Sequence, residues 1–130
     1  MITEDYVSFE NAQLLKEKGF NEECFALYNP DGMLIQSGIR LNNIQVGIVK
    51  GSYSAPTLQL AMKWLREVHD LNINNELSIH GYFCSISHIV RDSIGHIVDV
   101  EDSESWETAY YDTNEEALED AIKYCLVNLI

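Results

Sequence analysis

The chain has 130 residues, 46% of them apolar, and a formal net charge of −13. That apolar fraction supports a packed core, and the length fits a single globular domain over residues 1–130. The acidic balance argues against direct nucleic-acid binding, which needs clustered Lys and Arg, and against anionic membranes; no apolar run approaches the roughly 18 residues of a membrane span.

Ser8 caps a first helix over Ser8–Lys18, with Phe9, Ala12 and Leu15 on one face and Val7 placed to staple against Ala12. Gly19 ends it in a left-handed cap with Phe20 packing back. Cys24–Tyr28 reads as a strand, Asn29-Pro30-Asp31-Gly32 as a turn, and Met33–Gln36 as the returning strand. Ile39–Leu41 and Ile44–Val49 flank Asn42-Asn43, a pair suited to the positive φ of a second hairpin turn. Gly51–Ala55 reads as loop.

Pro56 then fits the first position of a helix, capped by Ser54 or Ala55. Leu58, Ala61, Met62, Leu65 and Val68 recur at spacings of three and four, one apolar face, with Asn72 as the stop. Ile79–Val90 is the longest strand signal. Arg91–Ser93 turns it, Ile94–Val100 returns, Glu101–Ser105 reads as an acidic loop, and Trp106–Tyr111 as an aromatic strand. Thr113 caps the last helix and Glu116 completes a capping box. Ala117, Ala121, Cys125 and Leu129, flanked by Leu118, Ile122 and Leu126, give that helix a broad core-facing stripe. Helices interleave with hairpin-linked strands, so the expected fold is α+β: a mostly antiparallel sheet built from hairpins, with three helices packed largely on one face.

The N-terminal Met1–Tyr6 carries neither the basic nor the apolar region of a signal peptide. Cys24, Cys84 and Cys125 are an odd number and form no CxxC pair, which reads as three buried thiols rather than a disulfide framework or zinc site. The expected setting is the cytoplasm.

Candidate chemistry is sparse. His80 and His88 have the same parity on the expected Ile79–Val90 strand, but lie eight residues apart, roughly 26 Å in extended chain. His88 and His96 face each other only if the turn register allows it. These three are the candidate metal ligands, and His69 sits near a helix C-terminus; no HExxH or comparable spacing supports a metal, so no cofactor is expected. Ten acids run from Asp99 to Asp120 without an intervening Lys or Arg. Those near Thr113 suit a helix N-terminus, and Asp99–Glu104 lacks the glycine and the bidentate Glu of a calcium loop. No phosphate-binding glycine motif, dinucleotide fingerprint or nucleophile elbow is present. Tyr82, Phe83, Trp106, Tyr110 and Tyr111 fall on neighbouring strands, with adjacent parities that place an aromatic on each sheet face. They form the candidate binding surface.

The stretch Tyr53–Glu67, and the run Tyr111-Asp-Thr-Asn-Glu-Glu-Ala117 entering the last helix, resemble small uncharacterised proteins encoded by phages and prophages of gut Bacteroidales bacteria. The resemblance covers most of the chain, is weakest over Ile39–Val49, and implies no chemistry. It and the absence of a catalytic constellation point to a non-enzymatic accessory protein that binds a host protein or a small molecule. The alternative is a small metal-dependent hydrolase using His80, His88 or His96 with an acid from Asp99–Glu107. An aromatic sheet face without a helix to cover it predicts a homodimer.

Overall fold

The computed structural model describes residues 3–130, without the side chains of Ser103, Glu104 and Ser105. The fold is α+β with antiparallel sheets, as expected, but the described residues form two three-stranded sheets rather than one. The chain divides into two compact units, after Ala61.

In the first unit, α1 (Phe9–Glu17) begins at Ser8, whose hydroxyl accepts from the Asn11 amide. Gly19, at φ 92°, donates to the Lys16 carbonyl and Phe20 to that of Leu15, which closes the helix as expected. Val7, Ala12, Leu15 and Phe20 are all buried. Strand β1 (Cys24–Tyr28) is central, between β2 (Leu34–Leu41) and the two-residue β3 (Tyr53–Ser54). The Tyr28 hydroxyl donates to the Val7 carbonyl at 2.5 Å, and the Phe9 ring packs edge-on to Tyr28 and Tyr53.

The second hairpin expected here does not form. Strand β2 runs on through Ile39–Leu41, with a wide bulge: β1 pairs Cys24 with Leu41 and Ala26 with Gln36, so Phe25 alone spans Ser37–Arg40. Ser37 closes that bulge by bonding both backbone groups of Ile39. Asn42 begins the short helix α2 (Asn43–Val46), because Asn42 and Gln45 form a reciprocal capping box. The buried Asn43 amide donates to the Phe20 carbonyl at 2.7 Å and accepts from the Ser54 amide at 2.8 Å. Part of the expected Gly51–Ala55 loop is thereby held as β3.

Helix α3 (Leu58–His69) crosses the division. Its cap is Thr57, not Ser54 or Ala55: the Thr57 hydroxyl accepts from the Leu60 amide at 3.2 Å. Pro56 lies one residue before that cap, and its carbonyl accepts from Val7. Leu58, Ala61, Met62 and Leu65 are buried as the periodicity predicts, but Val68 is exposed and Trp64 is buried instead.

In the second unit Asp70, in the left-handed region at φ 55°, ends α3. Asn72 is no helix stop: it lies in β4 (Leu71–Ser78), which was not anticipated. The expected Ile79–Val90 strand starts late, since Ile79 and His80 form the two-residue turn between β4 and β5 (Gly81–Arg91). Gly81 is required there: its φ is 123°, and a Cβ would meet the Tyr111 carbonyl oxygen at 2.5 Å. The next turn is Asp92–His96 rather than Arg91–Ser93, because the Asp92 carboxylate accepts from the Ile94 and His96 amides.

Strand β6 (Ile97–Glu107) takes in the stretch expected as an acidic loop, with Glu101 opposite His88 and Asp102 opposite Ser87; the side chain of Glu104 lies outside the described residues. Of the expected Trp106–Tyr111 strand, Trp106 and Glu107 belong to β6, and Tyr111 makes a separate bridge to Tyr82. The sheet order is β4-β5-β6. Thr113 caps α4 (Asn114–Tyr124), which continues as a π-helical turn, Cys125–Leu129. Ala117, Leu118, Ala121, Ile122, Cys125 and Leu126 are buried, as the stripe predicts, while Leu129 is half-buried.

Asn43 makes a direct test of the first unit. Asn43→Ala removes a bond from each of two backbone groups, the Phe20 carbonyl and the Ser54 amide, and should cost about 2–4 kcal/mol by urea denaturation. Asn42→Ala, at the half-buried cap, should cost about 1 kcal/mol. Equal effects would show that the Asn43 bonds do not hold β3.

Candidate functional site

The two faces of the β4-β5-β6 sheet differ in chemistry, and pairing register decides which residue lies on which. Leu71 pairs with His88, Ile73 with Ile86, and Asn75 with Cys84; these alternate with Asn72–Ser87, Asn74–Ser85 and Glu76–Phe83. Leu71, Ile73, Cys84 and Ile86 are buried on the side where α4 packs, and Asn75 bonds Asn114 of that helix. The other face carries the amides and hydroxyls.

There the polar side chains form a directed relay. Asn72 donates to the Asn74 carbonyl oxygen at 2.8 Å, Asn74 donates to the Ser87 hydroxyl at 2.6 Å, and Ser87 donates to the Asp102 carboxylate at 2.7 Å. Ser87 is buried despite facing away from α4. Asn74 also donates to the Ser85 hydroxyl at 3.4 Å, and together these bonds orient the side chains before any ligand arrives. Asn72, Asn74 and Ser87 of the relay floor a cleft of about 340 Å³, whose other walls are Ile89, Ile97 and Val100. Arg66 and Glu67, from the last turns of α3, and Arg91 complete its rim. Arg91 is held in place: its Nε donates to Asp70 at 2.7 Å and one Nη to the Gly95 carbonyl at 3.1 Å.

The first unit has a larger groove, about 430 Å³, beside Asn43 and Lys16. Its polar groups are engaged internally, Asn43 with Phe20 and Ser54, and Lys16 over the Tyr53 ring at 5.1 Å.

The expected aromatic surface is divided. Tyr111 faces α4, its hydroxyl donating to Asp120 at 3.0 Å, and that bond holds the phenol's pKa above its ordinary value. Trp106 stacks on Tyr124 at 4.0 Å between centroids. Tyr82 shares the Cys84 face by alternation. Phe83 lies on the opposite face, its ring 5.3 Å from that of Tyr110, which is half exposed and also meets His80 at 5.5 Å.

The histidines stay apart. His80 lies in the turn at one end of β5 and His96 in the turn at the other, while His88 pairs with Leu71 and Glu101. His96 meets Asp92 at 3.7 Å, not His88. No group of three or more His, Cys, Asp or Glu placed to hold a metal occurs among the described residues. Nor, among them, is any helix long and apolar enough to cross a membrane.

The sequence does not single out the relay residues, because Asn72 after the helical run also suits a helix stop. The available signal was the alternation Leu71-Asn-Ile-Asn74 and Ser85-Ile-Ser87, a period of two on both strands. No family model, curated protein or solved structure matches the chain.

Cys24, Cys84 and Cys125 are free and buried, and burial pushes each thiol from 9.0 up to about 12. Carboxylates add to this, Glu22 beside Cys24, and Asp120 and Glu76 near Cys84. The folded state therefore keeps protons that the unfolded chain releases above its ordinary thiol pKa, so this contribution to stability is complete below about pH 9 and is lost as pH rises towards 12. Iodoacetamide at pH 8 should label none of the three thiols in the native protein and all three after denaturation, and the urea midpoint should fall as pH is raised above 9. Rapid native labelling would contradict the burial.

Proposed function

We propose that this chain is a non-enzymatic binding module that captures a small molecule on the outer face of the β4-β5-β6 sheet. The observation that carries the proposal is the Asn72-Asn74-Ser87-Asp102 relay beneath the cleft: oriented polar groups below an apolar wall are the ordinary make-up of a small-ligand site. With the resemblance to phage and prophage proteins, the proposed setting is an accessory protein in the bacterial cytoplasm. A host protein is the competing ligand class, and the polar floor favours the small molecule.

Self-association is part of the proposal. Of the aromatics, Phe83 and Tyr110 pack together away from α4, so a homodimer would use this pair. Tyr110→Asp should then convert the dimer to a folded monomer in light scattering, whereas a monomeric parent protein at micromolar concentration would remove the dimer from the proposal.

A fragment screen read by amide chemical shifts tests the binding reading. Hits should map to Asn72, Ser87 and Ile89 and weaken in Ser87→Val, which breaks the relay at its centre. Hits that map elsewhere, or bind Ser87→Val equally well, would overturn it.

A further inference from the structure

Cations are scarce in the second unit. Residues 62–130 hold fourteen Asp or Glu against four Lys or Arg, a net charge of −10. Both arginines of this stretch, Arg66 and Arg91, nevertheless line the same cleft, together with a single lining carboxylate, Glu67. Arg91 is paired with Asp70 and Asp102 ends the relay, so the cation the lining leaves to a ligand is the Arg66 guanidinium beside Glu67. The helix dipole accounts for Arg66 in the last turn of α3 but not for Arg91 on a strand. Arg66 makes no ion pair among the described residues, and Arg91 keeps one Nη outside its bonds to Asp70 and Gly95.

We infer that the cleft binds a monocarboxylate with a short aliphatic body, an inference that rests on the binding reading above. A guanidinium fork matches a carboxylate in geometry and charge. Ile89, Ile97 and Val100 offer apolar surface beside it, and Ile97 and Val100 are more than half exposed, so an aliphatic body gains by covering them. Glu67 and the surrounding acids oppose a second negative charge, which selects against phosphate and dicarboxylates. The volume of about 340 Å³ lies at the small end for ligand clefts, consistent with a compact acid.

The test uses the full chain, labelled with ¹⁵N, and three probes at millimolar concentration: 4-methylpentanoate, its neutral amide, and inorganic phosphate. Saturable shifts at Asn72, Ser87 and Ile89 are expected with 4-methylpentanoate, with affinity about tenfold weaker for the amide and about tenfold weaker for the acid in Arg66→Gln. Arg66→Gln alters a rim residue, and its unliganded spectrum verifies folding. If the amide binds as well as the acid, if phosphate binds more tightly, or if Arg66→Gln binds the acid unchanged, the carboxylate assignment is overturned while the cleft stands. If no probe and no fragment moves these amides, the cleft reading itself is overturned.

Discussion

The two-residue turn at Ile79–His80 sets the pairing of β4 with β5, and nearly every other feature of the second unit depends on that register. With Ser78 opposite Gly81, each residue pair up to Leu71–His88 is determined, and the apolar pairs fall on one face. A slip of one residue would either turn Asn72 and Asn74 towards α4 and expose Ile73, or turn Ser87 inward and expose Cys84 and Ile86 to water. The turn cannot shift freely. Gly81 adopts a backbone conformation that side chains disfavour, and its approach to the Tyr111 carbonyl leaves no room for a Cβ. The Tyr82–Tyr111 bridge then directs the chain from β6 into α4, whose apolar stripe completes the core.

The same register concentrates polarity on the sheet face opposite α4. An exposed apolar face would favour aggregation, and a charged one would be merely solvated. Here amides and hydroxyls bond one another across β4, β5 and β6 instead, ending at Asp102. Such a relay orders side chains that would otherwise rotate, lowering the entropy lost when a ligand binds. The corner at Asp70 contributes as well. Its backbone ends α3, its carbonyl accepts from Ile89, and its carboxylate orients Arg91 at the cleft. This ion pair is partly exposed, so its role is orientation more than stability.

The first unit depends on a different device. Asn43 stands in for strand pairing, its side chain bonding one backbone group after α1 and another in β3. A buried amide satisfied at both ends can hold a two-residue strand that ladder bonds alone would leave marginal.

Local chemistry alone determined several elements: α1 with its Ser8 and Gly19 caps, β1 with the Asn29–Gly32 turn, and α4 with its Thr113 cap and core stripe. In each, the stabilising partners lie within a few residues, so propensity and capping agree with the fold. Asn42-Asn43 was ambiguous because the same pair suits a hairpin turn and a capping box, and only the distant partners Phe20 and Ser54 select the helix. Likewise Asn72 suits a helix stop or the polar side of a strand, and pairing with Ser87, fifteen residues on, makes it a strand. The cleft was illegible for the same reason. Arg66, Asn72, Ser87 and Val100 come from four separate elements, and only sheet register and the corner at Asp70 bring them to one place.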